Sequence, residues 1–259
     1  MSEQTAQDRA QAAATLRALH VPGRPLVAPN AWDAASARAI ESAGYPAVAT
    51  SSAAVSACLG WPDGEGAPVE EMLTAAGRIA RAVDVPVTVD FERGYRLAPE
   101  ELVERFSRTG AVGLNLEDSD PATGALVDID DQVRFIGGVR RAATAAGVDL
   151  VINARTDAFL RRVGTEGEQL AASIERGNRY LDAGADCVYP LGAGGESIPA
   201  LVTQIDGPVN VARGPGSPYS IDDLAALGVA RVTFGPGLQR QLYALLAEQI
   251  LPSLAGAAR

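Results

Sequence analysis

Thr88-Val89-Asp90-Phe91-Glu92 and, further along, Gly113-Leu114-Asn115-Leu116-Glu117-Asp118 are short apolar runs that end abruptly in carboxylates. A buried β-strand reads this way when its last residues emerge into a polar site. Carboxylates rarely finish an apolar strand without a partner, because burying an uncompensated charge is costly. Two adjacent strands ending in acids call for a hard divalent cation, and oxygen ligands that keep coordinated water favour Mg²⁺. The competing reading is that these acids cap the following helices or pair with a nearby Arg.

Outward from these two runs the pattern is regular. Strand-like apolar runs are expected at 25–29, 47–51, 85–90, 111–117, 149–154, 186–191, 208–212 and 231–235. Helix-compatible amphipathic stretches lie between them, at 32–43, 69–83, 99–109, 130–146, 166–183, 196–205, 220–227 and 237–255. Gly44, Gly110, Gly147, Gly184 and Gly228 each close a helix just before the next strand, a repeated C-terminal stop. Strands that are apolar almost throughout belong to a parallel sheet covered by helices. Eight βα units predict an α/β chain folded as a single (β/α)₈ TIM-type barrel. The runner-up, a doubly wound sheet, lacks a Gly-x-Gly-x-x-Gly after its first strand. Nothing reads as a linker, so residues 1–259 form one domain with a short polar N-terminal extension.

Composition narrows the chemistry. A formal charge of −10 with no basic run argues against nucleic-acid binding, and no apolar run is long enough to span a bilayer. Residues 1–14 are polar and Ala-rich without the apolar core of a secretion signal, so the expected location is cytoplasmic. Cys58 and Cys187 lie in unrelated segments, which speaks against a disulfide framework or zinc site. All 22 basic residues are Arg, so Schiff-base catalysis and a P-loop lysine are excluded. The single histidine, His20, precedes the first strand and reads as a surface or packing residue. Catalysis must therefore rely on carboxylates, Arg, Tyr, Ser, Cys, backbone amides and a metal.

In such a barrel the active site sits at the C-terminal ends of the strands. Those ends supply Asn30, Trp32, Ser51, Ser52, Ala53, Asp90, Glu92, Glu117, Asp118, Asn153 and Arg155, among others. Arg155 suits bidentate capture of a substrate carboxylate, or else neutralises Glu117 or Asp118.

Several motifs occur in order: Pro29-Asn30-Ala31-Trp32-Asp33, Thr50-Ser51-Ser52-Ala53, Gly60-Trp61-Pro62-Asp63-Gly64-Glu65, Asp90-Phe91-Glu92-Arg93-Gly94-Tyr95, Asn115-Leu116-Glu117-Asp118 and Asn153-Ala154-Arg155-Thr156-Asp157. In these the chain resembles the isocitrate lyase/phosphoenolpyruvate mutase superfamily over nearly its whole length. The resemblance implies a (β/α)₈ barrel, often with the last helix swapped between subunits of a homodimer or homotetramer. It also implies Mg²⁺-assisted chemistry, with Mn²⁺ as a substitute, on small 2-oxo or 2-hydroxy carboxylates through an enolate-type intermediate. Carried over by position, Asp90 is the direct metal ligand, and Glu92, Glu117 and Asp63 complete its shell or hold its waters. Amides around Ser51, Ser52 and Ala53 bind a substrate carboxylate, Arg155 binds carboxylate or oxyanion oxygens, and Asn153 and Trp32 line the pocket.

The departures from the family pattern matter as much. Glu92 stands where Asp is usual, and Arg96 follows Tyr95 where Gly is usual. Isocitrate-cleaving members carry a Lys-Lys-Cys-Gly-His gate after the fourth strand, whose Cys is the general acid. Here that segment reads Ser119-Asp120-Pro121-Ala122-Thr123-Gly124-Ala125-Leu126-Val127, with no Cys, Lys or His. The lysine and asparagine of phosphonate-acting members are missing from it as well. The expected function is a Mg²⁺-dependent carbon–carbon lyase or decarboxylase, with Arg155, Glu117 and Tyr95 as catalytic groups. The alternatives are P–C bond chemistry or a non-catalytic carboxylate-binding barrel. Tyr95 is the best remaining proton carrier, with packing at the barrel mouth as its rival role. Trp32 lines the pocket or the core, Trp61 sits on a lid, Cys58 approaches the site or packs as a small hydrophobe, and Cys187 is core.

Overall fold

A computed structural model describes residues 6–214 and 216–256. Helix α1 (Ala6–Ala18) leads into the split first strand, β1 (Leu26–Val27) and β2 (Asn30–Ala31). Strands and helices then alternate: α2 (Ala34–Ser42), β3 (Val48–Thr50), α3 (Ser52–Leu59), α4 (Val69–Ala80), β4 (Val87–Asp90), α5 (Pro99–Ser107), β5 (Gly113–Glu117) and α6 (Ile129–Ala145). The second half continues as β6 (Val151–Thr156), α7 (Glu166–Asp182), β7 (Cys187–Pro190), α8 (Ile198–Gln204), β8 (Asn210–Ala212), α9 (Ile221–Ala226) and β9 (Arg231–Thr233). It ends with α10 (Gly237–Leu245), a π-helical turn over Leu246–Ile250, and α11 (Leu251–Gly256).

Every strand pairing is parallel, as the apolar runs predict. One sheet runs β2-β3-β4-β5-β6-β7 and the other β1-β9-β8. Pro29 has no N–H for a ladder and splits the first strand, so β1 pairs with β9 while β2 pairs with β3. At the opposite edge a single parallel bridge joins Val188 to Val209. Asn30 stitches the first seam: its amide donates to Thr50 O (2.6 Å), and its Oδ1 accepts from the Phe234 (2.7 Å) and Gly235 (3.0 Å) amides. The helix-stop glycines Gly44, Gly110, Gly147, Gly184 and Gly228 all have φ between +64° and +105°, as a C-terminal stop requires.

Two segments differ from the sequence reading. The polar N-terminal stretch is helical from Ala6, and its inner face is part of the core. Ala13 and Leu16 are fully buried with Leu26, Ala28, Ala47, Ala49, Val112 and Val151. Leu16 enters so deeply that a Cβ on Gly113 would lie 2.7 Å from its Cδ2, which is why β5 must begin with glycine. Burying a leucine this completely contributes ~1.5–3 kcal/mol. Residues 1–5 of the expected extension lie outside the described residues. The second difference is α3, where the sequence reading expected a loop. Ser51 caps it, accepting from the Ala54 amide at 3.4 Å. Its run of small residues has too little amphipathic contrast to show a helical period.

His20 packs under α1, with Nδ1 2.8 Å from Leu16 O. Burial first, and then the Arg231 charge, lower its pKa to about 4. Cys187 is core, its thiol pushed up to about 12 by burial. No helix among the described residues is long and apolar enough to cross a membrane. The last helical stretch carries a row of exposed apolar side chains: Leu242, Tyr243, Leu245, Leu246, Ile250, Leu251 and Leu254.

Candidate active site

The parallel register sets the site. Asp90 is level with Asn115, Asn115 with Asn153, and Glu117 with Arg155, so alternate residues of β4, β5 and β6 face one another at a single end of the sheet. Asp90 ends β4 with its amide on Thr50 Oγ1 (2.9 Å). Its carboxylate accepts from Ser52 N (3.1 Å), Ser52 Oγ (2.9 Å) and Asn115 Nδ2 (3.2 Å). Asn115 is held in turn by Asn153 Nδ2 at 2.8 Å. Asn153, expected to line the pocket, donates to the residue that in turn donates to Asp90. The Ser52 amide, expected to bind substrate, points to Asp90. Ala53 follows it in the first turn of α3, where helix-terminal N–H groups favour an anion.

Glu92 is 2% exposed. It accepts from the Glu65 amide at 2.5 Å and from the Tyr95 hydroxyl. The Tyr95 amide donates to Glu65 Oε1 at 2.6 Å, which closes a small ring of contacts. Glu65, Glu92, Tyr95 and Arg96 all hold left-handed backbone, with φ of 57°, 48°, 55° and 57°. That conformation is uncommon for residues other than Gly, and these contacts hold three of the four in it. Arg96 keeps the turn that the family pattern fills with Gly. Burial lifts the Glu92 carboxyl to about 7, against the Tyr95 and Glu65 donors and with added repulsion from Asp90 and Asp63. Burial and the neighbouring Glu92 raise Tyr95 well above its ordinary value, so its phenol stays neutral.

Arg155 meets Glu117 at 2.5 Å through Nη1, and Asp157 through Nε (2.6 Å) and Nη2 (2.9 Å). Asp118 is not its partner. That carboxylate is fully buried and accepts from Tyr180 Oη (2.7 Å), Arg176 Nη1 (3.1 Å) and Asp157 N (2.9 Å). Burial drives the Glu117 carboxyl well above its ordinary range; Arg155 opposes this, while Asp157, Asp90 and Glu92 add to it. Trp32 is half-buried against the main core, and Trp61 is exposed with Nε1 on Glu71 (3.2 Å). Asp63 is exposed near Glu92. Cys58 is exposed rather than buried, near Gln239 Nε2 (3.1 Å) and Tyr243 Oη (3.6 Å). It lies six residues beyond Ser52, ~9 Å along α3 from the Asp90 contact.

Among the described residues no three His, Cys, Asp or Glu side chains converge as a ready-made metal cage. Asp90, Glu92 and Glu117 have each turned to a protein donor, as buried carboxylates must. The set still fits a hard cation chemically: the donors are all oxygen, they sit on two neighbouring strands, and they repel one another. A Mg²⁺ with one direct carboxylate and several waters needs no closed cage. Sequence reasoning missed Glu65, Asn115, Ser119 and Asp157 as supporting residues. All four lie in or directly beside the quoted motifs, so the signal was their position rather than their type.

Comparison with known proteins completes the description. The chain matches the phosphoenolpyruvate phosphomutase family over residues 16–252. A solved protein of Burkholderia cenocepacia J2315, with a proposed phosphonomutase assignment, is 42% identical with TM-score 0.87, covering 93% of this chain and 99% of that one. The structure of oxaloacetate acetylhydrolase with 3,3-difluorooxalacetate is 26% identical with TM-score 0.82, covering 93% and 85%. The 2,3-dimethylmalate lyase of Eubacterium barkeri is 32% identical over 185 residues, which is 68% of this chain and 62% of that enzyme. Against a 2-methylisocitrate lyase of Corynebacterium glutamicum the match spans 53% of the relative's length.

The Glu92 carboxyl gives a pH test. The folded protein keeps this proton to about pH 7, whereas an unfolded Glu releases it near its ordinary 4.5. Between those values the folded state binds more protons, so this group's contribution to stability falls as pH rises. In metal-free buffer, the wild type should lose up to about 3 kcal/mol more than Glu92→Gln between pH 4.5 and 7.5. Urea unfolding at each pH reads the difference. Parallel curves would mean that the Glu92 carboxyl titrates alike in the folded and unfolded states.

Proposed function

The chain belongs to the phosphoenolpyruvate phosphomutase family, within the isocitrate lyase/phosphoenolpyruvate mutase superfamily, and from that premise we propose that it is a divalent-metal-dependent lyase or decarboxylase. It would break a carbon–carbon bond in a small 2-oxo or 2-hydroxy carboxylate. The observation that carries this reading is the meeting of Asp90, Glu92 and Glu117 with one forked cation, Arg155, at a single end of the sheet. We read the strand order, with its seams at β1–β9 and Val188–Val209, as the closed ring of a (β/α)₈ barrel. A cytoplasmic setting goes with this reading.

Mg²⁺ or Mn²⁺ would be held by Asp90, with Glu92, Glu117 and Asp63 around its waters, and would supply Lewis-acid stabilisation of a developing oxyanion. The protein does the rest. Arg155 has five N–H donors; Asp157 engages two of them, on Nε and Nη2, and Glu117 pairs with Nη1, so N–H groups on Nη1 and Nη2 remain for a carboxylate. The first turn of α3 adds positive potential at the same mouth. Tyr95, a neutral phenol that donates to Glu92, stands among the carboxylates as a proton donor. A cleft of about 420 Å³ lies beside Tyr95, lined by residues including Glu65, Arg96, Pro121 and Ala122. P–C bond chemistry fits less well, because the 119–127 segment has neither the lysine nor the asparagine of phosphonate-acting relatives.

Oxalate, a planar mimic of enolpyruvate, tests the site directly. With millimolar Mg²⁺ it should raise the melting temperature, since a ligand bound only by the folded state stabilises it. Asp90→Ala should remain folded and lose the shift. No shift in the wild type would remove the metal-site reading and leave a non-catalytic barrel.

The missing gate cysteine separates substrates. A positioned general acid supplies about 10²–10⁴ in rate, and isocitrate or methylisocitrate cleavage needs one for its leaving carbanion. Oxaloacetate, or a short alkyl-substituted malate protonated through Tyr95, should therefore turn over faster at matched Mg²⁺. Tyr95→Phe should slow the malate reaction more than the decarboxylation. Pyruvate and glyoxylate release from each candidate reads the ranking, and efficient isocitrate turnover would reverse it.

The exposed apolar row from Leu242 to Leu254 supports a last helix that packs on a second copy, in a homodimer or homotetramer. Sedimentation should show an oligomer that dissociates in Leu246→Glu/Leu251→Glu. A wild-type monomer at micromolar concentration would refute the swap.

A further inference from the structure

The segment after β5, residues 119–127, folds as a short hairpin rather than an open flap. Ser119 bridges Leu126 across it, the Asp120 amide donates to Ala125 O (2.8 Å), and the Gly124 amide donates to Asp120 O (2.7 Å). Both ends are tied to the buried Asp118. The Val127 amide donates to Asp118 O (2.9 Å), while Arg176 spans from the Asp118 carboxylate to Val127 O (3.0 Å).

A second set of contacts leads from this hairpin to the catalytic mouth. Ser119 Oγ donates to Asp157 Oδ2 at 2.6 Å and accepts from Arg161 Nε at 3.0 Å. The direction is forced, because a guanidinium only donates and so leaves the hydroxyl proton for Asp157. Asp157 is fully buried and accepts from both Nε and Nη2 of Arg155. Arg161 also reaches the turn, with Nη1 3.4 Å from where a Cβ on Gly124 would sit. Hairpin turn, Arg161, Ser119, Asp157 and Arg155 thus form one continuous chain of contacts.

We propose that Ser119 and Asp157 are positioning residues that aim Arg155, so that the seating of the 119–127 hairpin sets the affinity of the site for its carboxylate ligand. This rests on the reading of Arg155 as the carboxylate clamp. Asp157 occupies the inner edge of the guanidinium and turns its outer edge, Nη1 and Nη2, to the ligand. Ser119 fixes Asp157 in that pose, and Arg161 transmits the position of the turn. A hairpin that lifts takes Ser119 with it and frees Asp157 and Arg155 to rotate.

The test is the binding of oxalate in the presence of Mg²⁺, followed by calorimetry on the intact protein. Ser119→Ala should weaken binding roughly fivefold, and the exposed Arg161→Met roughly two- to threefold. In an Arg155→Lys background, where no fork remains to be aimed, each change should cost less than about twofold. Equal penalties in the two backgrounds, or wild-type affinity in both single variants, would overturn the positioning role. Should Ser119→Ala not fold, Arg161→Met in the two backgrounds decides alone. A wild type that binds no oxalate would remove the functional reading and this inference together, whereas a binding wild type with indifferent variants removes only this one.

Discussion

Four carboxylates and one guanidinium share the end of three neighbouring strands, and the imbalance among them governs the site. Asp90, Glu92, Glu117 and Asp157 are set against Arg155, all but Asp90 nearly or fully buried. Desolvation and mutual repulsion penalise ionisation, and every local feature is a response to that penalty. Asp90 takes a hydroxyl and two N–H donors, Glu92 takes a phenol and an amide, and Glu117 and Asp157 divide Arg155 between them. What these donors leave uncompensated lifts Glu92 and Glu117 above the ordinary carboxylate range. A divalent cation would discharge the same excess, which is why a charge distribution that weakens the fold suits a metal-assisted lyase.

The fold holds this arrangement because the sheet leaves little freedom. Parallel register fixes which side chains are level, so a one-residue slip of β5 would take Asn115 and Glu117 out of step with Asp90 and Arg155. Leu16 seats in the space left by Gly113 at the beginning of β5, whereas Asn30 ties the seam at the catalytic end. The left-handed turn from Glu92 to Arg96 is the strained part, and it lies where the acids are densest. Strain held by hydrogen bonds to functional groups is a common feature of sites preorganised for binding.

Much of this was legible in the residues. Apolar runs ending in acids placed Asp90, Glu92 and Glu117, and the helix-stop glycines placed the βα boundaries. Other parts could not be read. The Ser- and Ala-rich α3 has too little polarity contrast to announce a helix, and Ala-rich α1 hides its core face for the same reason. The Arg155–Asp157 pair is two residues apart in sequence, but which of three nearby acids would claim the guanidinium depended on where β6 ends. Asn153 belongs to a quoted motif, but that it donates to Asn115 depends on the β5–β6 register, which the sequence does not show.

The absence of lysine gives the site its character. Every cation here is a guanidinium, permanently charged and unable to act as a base, so Arg155 can hold a carboxylate but cannot carry a proton. His20 is sealed beneath α1 and neutral at physiological pH, Cys187 is locked in the core, and Cys58 faces α10. On the proposed reading, this leaves the acids and Tyr95 as the proton-transfer groups beside the cluster. Tyr95 donates to Glu92, whose carboxyl titrates near neutrality, and the two are close enough to exchange a proton. On the proposed reading, the 119–127 hairpin lies against Arg155's support, and Tyr95 stands on the turn beside the carboxylates that would hold the metal.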